Sequence, residues 1–206
     1  MSDLRGSAYV FDLSGGALCL DFANTVSDRN SGREIDHLER YSDLVAFAEQ
    51  VGLVGEVSAR ALRKLAARHA ESAAAVSDRA LALREALYRL FSDSAAGRTA
   101  RGADLALLNA ALSAAQANLQ IRRSGDRFDW IWRADPAALD RMLGPVARSA
   151  AELLTSDRLP SVRECAAATC GWLFLDRSRN QSRRWCDMKV CGNRSKVRRH
   201  YLRSRQ

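Results

Sequence analysis

Two cysteine pairs of identical spacing constrain this chain more than any other feature. Cys165 and Cys170 bracket four residues, and so do Cys186 and Cys191, with fifteen residues between the two pairs. A pair with this spacing forms a tight turn, or knuckle, that directs both sulfurs inward, and zinc binds four such thiolates in a tetrahedron. The spacing therefore predicts one structural Zn²⁺ held by all four cysteines.

Two disulfides, or four thiols that only pack together, are the alternatives to a zinc site. Residues 1–5 lack the basic and apolar regions of a signal peptide, and no apolar run approaches the ~18 residues of a membrane helix. We therefore expect a cytoplasmic protein with no membrane segment, in a reducing compartment that disfavours disulfides. Four of the five cysteines fall within residues 165–191, which disfavours chance packing.

The positive charge of the chain is concentrated in the same region. Residues 165–206 hold 11 of the 32 Lys and Arg residues and 2 of the 24 Asp and Glu residues. Their formal charge is therefore +9, against −1 for the rest of the chain. Zinc binding with loss of four thiol protons lowers it to about +7. Such a basic patch attracts phosphate backbones, whereas the alternative is a solubilising tail.

Residues 183–194 read Arg-Arg-Trp-Cys-Asp-Met-Lys-Val-Cys-Gly-Asn-Arg. This segment resembles the signature of the CGNR zinc-finger family, which is named after the tetrapeptide at residues 191–194. Phe174, Asp176, residues 178–180 and Lys196 also match that finger. Residues 18–25, Leu-Cys-Leu-Asp-Phe-Ala-Asn-Thr, are similar to the opening motif of the ABATE domain, which usually precedes it. The resemblance implies a bacterial, stress-induced, DNA-binding transcription regulator.

The sequence predicts the order of elements within the finger. A hairpin containing residues 172–175 is expected between the knuckles, and a helix is expected to start near Gly192, which together resemble a treble clef. On that helix, Val197 and Tyr201 share a face that is expected to pack on the zinc module. Lys196, Arg199 and Arg203 share another face, because they lie at i, i+3 and i+7.

The candidate nucleic-acid contacts are the basic residues around the second knuckle. They are Arg183, Arg184, Arg194, Lys196, Arg198, Arg199 and Arg203. Arginine can bind guanine or phosphate, and most of these residues are expected to contact phosphate alone. Duplex DNA is the preferred partner. RNA is the alternative, because Trp172 and Trp185 could stack on unpaired bases. The oligomeric state stays open, although a finger this small usually needs a second copy for high specificity.

Apolar periodicity predicts a mostly helical N-terminal region. Besides a short helix over residues 18–26, helices are expected to start near Ser42, Ser58, Ser77 or Asp78, and Asp104. Residues 118–133 predict a β-hairpin, in which Trp130 and Trp132 lie on one side and pack in the core or on the sheet face or, alternatively, form a ligand platform. A further helical stretch follows Asp135-Pro136, and Gly144-Pro145 should kink or split it.

These elements predict an α+β fold in two domains. Residues 1–158 are expected to form a helical sensor or regulatory domain with one β-hairpin, able to fold alone. Residues 163–206 are expected to form the four-cysteine finger, and residues 156–163 the linker between them. The boundaries follow the change in charge and the cysteine spacing.

No catalytic motif is evident in the sequence. The three histidines, His37, His69 and His200, are far apart, and no phosphate loop or dinucleotide fingerprint occurs. A closed shell of four cysteines leaves no metal position for activated water, so we expect no enzyme activity. An enzymatic N-terminal domain tethered by the finger is the less favoured alternative. One polar cluster, Asp21, Asn24 and Thr25, is a candidate small-molecule site, unless it only bonds a neighbouring loop.

Overall fold

Helix α4, Ala70–Ala95, is the longest element in the described part of the chain, and the N-terminal region packs around it. Its buried residues recur at alternating steps of three and four, the spacing of one helix face: Ala73, Val76, Ala80, Leu83, Leu87 and Leu90. The predicted start at Ser77 or Asp78 is wrong. The alanine-rich stretch before it is also helical, and the Ser77 hydroxyl bonds to the Ala73 carbonyl at 3.1 Å inside the helix.

The computed structural model describes residues 9–133, 135 and 138–204, apart from the side chains of residues 199, 200, 202 and 203. The other helices in this part are α1 (Leu18–Ala23), α2 (Tyr41–Gln50), α3 (Glu56–Arg68), α5 (Gly102–Gln116), α6 (Leu143–Leu154) and α7 (Asn193–Arg203). The helices predicted near Ser42, Ser58 and Asp104 are confirmed, and each begins slightly earlier. Asp104 is not a cap, because its buried carboxylate pairs with Arg89 of α4 at 2.5 Å.

The strands form three antiparallel pairs. They are β1 (Val26–Ser27) with β2 (Ile35–Asp36), β3 (Leu119–Ser124) with β4 (Arg127–Trp132), and β5 (Val162–Glu164) with β6 (Leu173–Leu175). The hairpin predicted for residues 118–133 is confirmed, with Ile121 opposite Trp130. Trp130 is 58% exposed and so does not pack in the core, and the Arg148 guanidinium lies 5.0 Å from the centroid of its ring. Trp132 is half-buried against α6.

Helix α6 begins at Leu143, which places Pro145 in its first turn. Backbone N–H groups there have no partner within the helix, so a proline costs little. The predicted helix after Asp135-Pro136 is not present over residues 138–142, where residues 139–142 form turns, so Gly144-Pro145 lies at the start of α6 and does not split a longer helix. Pro136 lies outside the described residues. No described helix combines the length and apolar sequence that crossing a bilayer requires.

The main hydrophobic core includes residues from both predicted domains. Val162 of β5, and Leu173 and Leu175 of β6, pack in the same cluster as Phe22 and Phe91. Residues 156–163 are therefore not a free linker, because a 3₁₀ turn at Leu159–Ser161 leads directly into β5. The independent folding of residues 1–158 stays a prediction, and this shared core argues against it.

Candidate metal centre and nucleic-acid interface

The first cysteine knuckle is the turn of the β5–β6 hairpin. Cys165 follows β5 directly, and its backbone N–H donates to the Trp172 carbonyl at 2.7 Å. Gly171, which follows Cys170, has φ of +70°, a conformation that strongly favours glycine. The prediction of a hairpin between the knuckles is therefore wrong: β6 pairs with β5 across the first knuckle, because the apolar strand completes the main core.

The second knuckle leads into α7 through a π-helical turn, Met188–Gly192. Asp187 caps this turn by accepting the Val190 backbone N–H at 2.7 Å. A side chain at Gly192 would place its Cβ 2.5 Å from the Met188 sulfur, so the exposed Met188 side chain would have to move. The turn places Cys191 at the start of α7, so metal binding at Cys191 fixes where this helix begins.

The four sulfurs fit one zinc ion. All are buried, and they lie within 4.8 Å of one another. The Sγ distances are 3.7 Å for Cys170–Cys186 and 3.6 Å for Cys186–Cys191. Tetrahedral zinc with Zn–S bonds of about 2.3 Å requires sulfurs roughly 3.8 Å apart. Cys165, Cys170, Cys186 and Cys191 are therefore the residues that would hold the metal, as the spacing predicts.

The four thiols affect one another's ionisation. Hydrogen bonds from Cys170 and Cys186 lower the pKa of Cys165 to about 2. Cys170 and Cys186 are the donors in these bonds to Cys165. Each bond stabilises the protonated donor and therefore raises the pKa of Cys170 and of Cys186. The cluster alone thus favours one thiolate shared among neighbours. A bound divalent cation would allow all four sulfurs to ionise.

Arg183 is used inside the finger, although the sequence places it among the nucleic-acid contacts. Its guanidinium donates to the backbone carbonyls of Trp185, at 2.8 Å, and Cys186. It also lies 4.7 Å over the Phe174 ring. Arg183 therefore supports the second knuckle. Arg184 is exposed, with its guanidinium 5.5 Å from the Trp185 ring centroid.

Arg194 lies between the metal centre and the N-terminal region. Its guanidinium donates to the Cys191 sulfur at 3.5 Å and to the Asp28 carboxylate at 3.4 Å. Half of the side chain remains exposed. Arg194 therefore ties α7 to a loop before β2, and the rest of its surface faces solvent.

Helix α7 presents basic and apolar side chains to solvent together. Lys196 and Arg198 are exposed, and the side chains of Arg199 and Arg203 lie outside the described part of the structure. Val197 is 69% exposed and Tyr201 is 52% exposed, so the prediction that they pack on the zinc module is wrong. The exposed side chains of Lys196 and Arg198 on this helix are accessible to a partner.

The cluster Asp21, Asn24 and Thr25 is occupied by contacts within the chain. The buried Asn24 amide donates to the Leu173 carbonyl and accepts the Leu173 N–H, both at 2.8 Å. The Thr25 hydroxyl donates to the Phe22 carbonyl, and Asp21 accepts the Gly15 N–H at 2.8 Å. Burial raises the pKa of Asp21 to about 6. Its ligand role stays a prediction, and Asn24 instead joins α1 to β6.

No local sequence pattern predicts the polar contacts that join residues 26–30 to the first knuckle. The backbone N–H groups of Arg29 and Asn30 donate to the carbonyls of Cys170 and Thr169, both at 3.1 Å. The Trp172 ring N–H donates to the Val26 carbonyl at 2.7 Å. Each contact has a backbone carbonyl as its acceptor and joins distant segments, and the pattern of side chains does not report such contacts.

Two family models match the chain. Residues 16–157 match ABATE, whose description is "Putative stress-induced transcription regulator". Residues 161–204 match the CGNR zinc finger. No curated protein matches the chain. The ABATE match spans more than half of the 206 residues, and the four-cysteine centre lies within the second match. The chain therefore belongs to the ABATE family and carries a C-terminal CGNR zinc finger.

Proposed function

We propose that this protein is a non-catalytic, cytoplasmic regulator that binds duplex DNA through the exposed basic surface of its zinc finger. One observation supports this most strongly. Helix α7 starts at the metal centre, exposes Lys196 and Arg198, and contains no Asp or Glu. Its 11 residues span roughly 16 Å at 1.5 Å per residue. A major groove about 12 Å wide admits such a helix.

Most of the affinity is expected from phosphate contacts. Lys196 and Arg198 extend from a helix whose start is fixed by a metal ligand, and Arg184 adds a charge beside the second knuckle. Each neutralised phosphate releases condensed counterions, so affinity should decrease steeply with salt. Lys196 and the exposed part of Arg194 are nearest the helix start, and they are our candidates for base contacts. Arg199 and Arg203 are proposed as phosphate contacts from sequence alone.

The N-terminal region is proposed to carry the regulatory input. Its helices surround the strands that anchor the finger, so a change in their packing would reach the metal centre through β5 and β6. The match to a family described as stress-induced supports a signal of this kind. A two-state change in the helical packing would link that signal to DNA affinity.

Competition between nucleic acids tests the proposal. Zinc-loaded full-length protein is bound to a labelled random-sequence duplex, and unlabelled duplex or single-stranded RNA of equal length is added at fixed salt. We expect the duplex to compete at least tenfold better. Stronger competition by RNA would identify RNA as the partner in place of duplex DNA. An absence of binding to either nucleic acid would reject the nucleic-acid role. Selection from random DNA and RNA pools would then define the preferred sequence.

A further inference from the structure

The β3–β4 hairpin is exposed on both of its faces. Every residue from 120 to 130 is exposed to solvent. The hairpin is also a sheet of its own, with no third strand paired to it among the described residues. A two-stranded hairpin is only marginally stable in water, and further strands or packing stabilise it. Its outer edges are therefore places where another strand can add.

One face of the hairpin is apolar. Ile121 and Trp130 lie opposite each other, and Phe128 is on the same face as Trp130. Their exposed fractions are 60%, 58% and 72%. Proteins commonly protect an exposed edge strand of this kind with Lys, Pro or a bulge. Strand β4 contains no Lys or Pro, and its pairing with β3 has no bulge, so its edge remains open to a further strand.

The turn of the hairpin determines which backbone groups lie on the outer edge of β4. Ser124 is opposite Arg127 across a two-residue turn, in which Gly125 has φ of +61°. Such a turn bonds its first residue to its fourth, so Ser124 and Arg127 are a hydrogen-bonded pair. Hydrogen-bonded and non-hydrogen-bonded pairs alternate along antiparallel strands. The N–H and C=O groups of Phe128 and Trp130 therefore point away from β3.

The sequence of β4 is complementary to a second copy of itself. Two β4 strands related by a two-fold axis pair antiparallel around one central residue, which keeps every side chain on its own face. A pairing centred on Phe128 places Arg127 opposite the partner's Asp129, and this ion pair occurs twice. Both ion pairs occupy non-hydrogen-bonded positions, where opposite side chains are closest. Phe128 lies opposite the partner's Phe128, and cross-strand aromatic pairs are favourable.

Charge disfavours the neighbouring registers. A pairing centred on Arg127 or on Asp129 would place two like charges opposite each other, which is destabilising. A pairing centred on Trp130 would place Asp129 opposite the partner's Ile131, without an ion pair. Strand β3 contains two arginines and no acidic residue, so a β3–β3 pairing forms no ion pair either. The outer edge of β4 is thus the edge that fits a second copy.

We propose that two copies of this chain form a homodimer by antiparallel pairing of their β4 strands around Phe128. The product is a four-stranded sheet with Ile121, Phe128 and Trp130 of both copies on one face. Aromatic side chains bury roughly 150–250 Å² each when fully covered, and here they are covered only in part. The contact is therefore smaller than the ~800 Å² per partner of a standard interface, and we expect a reversible dimer.

This inference is independent of the proposed function. If the fingers bind DNA, joining two of them raises the overall affinity without any new contact. A dimer without DNA binding would leave this inference standing and reject the proposed function. DNA binding by a permanent monomer would do the reverse.

Sedimentation velocity of the zinc-loaded, full-length protein measures the association under reducing conditions. We expect the average mass to rise from that of one chain towards that of two over roughly 1–300 μM, the range in which a small interface dissociates. A mass that stays at one chain over this range would overturn the proposal.

Reversal of one charge at a time tests the register. Arg127→Asp and Asp129→Arg each place like charges opposite in a pair of identical copies, so each variant alone should dimerise at least tenfold more weakly. A mixture of the two should dimerise again, because one copy then offers two carboxylates and the other two guanidinium groups. Arg123→Asp is the matched control: it makes the same charge change on β3 and should leave dimerisation unchanged.

A pair of proline variants locates the edge independently of charge. Phe128→Pro removes an N–H from the outer edge of β4, where no bond to β3 is lost, and should abolish dimerisation. Ile121→Pro removes the corresponding N–H from the outer edge of β3 and should leave the dimer intact. Near-ultraviolet circular dichroism checks that each variant retains its fold.

Two further results would overturn the proposal. One is a dimer that both Arg127→Asp and Phe128→Pro leave unchanged, since the contact would then lie on another surface. The other is a mixture of folded charge variants that stays monomeric. If Asp129→Arg does not fold, because it places two arginines opposite each other within the hairpin, the proline pair decides the question.

Discussion

The two halves of the zinc finger differ in their surroundings. In the first half, β5 and β6 contribute Val162 and Leu173, both fully buried, to the main core. In the second half, the knuckle and α7 expose Val190, Val197 and Tyr201 by more than half. Each half supplies two cysteines to the metal centre.

This difference shows how the chain gives a small helix a fixed orientation. The first half is anchored by apolar burial and by Asn24, so it takes its position from the helical region. The second half has few apolar contacts of its own, and metal ligation replaces them. Lys196 and Arg198 can thus stay exposed to a partner while the first turn of the helix is held in place.

Loss of zinc should have the largest effect, confined mainly to the second half. Structural zinc in finger peptides contributes apparent binding free energies of about 10–16 kcal/mol, which Cys186→Ser should forfeit. We expect amide hydrogens of α7 to lose protection, whereas the Leu173 amide remains protected. Elemental analysis and hydrogen exchange measure both effects. Protected α7 amides in protein shown to be zinc-free would contradict the account.

Removal of the anchored half should destabilise the helical region. Burial of Val162, Leu173 and Leu175 contributes about 1.5–3 kcal/mol each, which together approaches the 5–15 kcal/mol stability of a typical domain. A fragment of residues 1–158 should therefore melt far below the full chain, and residues 1–176 should recover part of the loss. Circular dichroism melts compare the two. Equal melting temperatures would show that the core is not shared in this way.

Asn24→Ala should weaken the anchor without removing it. The change leaves the N–H and the carbonyl of Leu173 buried without partners, at about 1–3 kcal/mol each. Thr25→Ala is the matched control, because its hydroxyl bonds only to the carbonyl of Phe22 in the same turn. Urea unfolding should show the larger loss for Asn24→Ala, and the reverse order would argue against the Asn24 anchor.

Asp176 should make the finger sensitive to acid. Burial alone would raise its pKa, but hydrogen bonds from Ser178 and the Arg183 N–H outweigh burial and hold the pKa below its usual range. The carboxylate therefore stabilises the fold above the unfolded pKa of about 3.9. This contribution is lost as pH falls through the lower folded pKa.

Asp176→Asn measures that contribution. At pH 7 we expect it to lower the free energy of unfolding by about 1.5–3 kcal/mol, the range for hydrogen bonds to charged groups. The difference from the unmodified protein should shrink as the pH is lowered through the folded pKa. A difference that is independent of pH would assign the effect to packing.

The sequence predicts the local features of the molecule well. Cysteine spacing identifies the metal ligands, because a knuckle depends on only a few neighbouring residues, and alternation around Gly125 identifies the β3–β4 hairpin. Contacts between distant segments are not encoded in that way. The pairing of Asn24 with Leu173 depends on how distant elements meet, and no local periodicity reports it.

The exposure of a helix face is a second feature that the sequence does not predict. Val197 and Tyr201 have the spacing of a buried helix face, but both are more than half exposed. Helix periodicity shows which residues share a face, not whether another element covers that face. For the same reason, the sequence does not show which basic residues around the second knuckle are exposed. Arg183 bonds within the finger, whereas Lys196 and Arg198 are exposed to solvent.

The salt dependence of duplex binding tests the central claim most directly. Lys196→Ala/Arg198→Ala removes two exposed charges from α7, and Lys64→Ala/Arg68→Ala removes two from α3 as a control of equal charge. Arg198 is expected to contact phosphate and Lys196 to contact bases, so the log–log slope of affinity against salt should become at least about 0.9 less steep, at roughly 0.9 per phosphate contact. The control should retain the original slope. With zinc content confirmed as unchanged, an unaltered slope in the α7 variant would contradict the account.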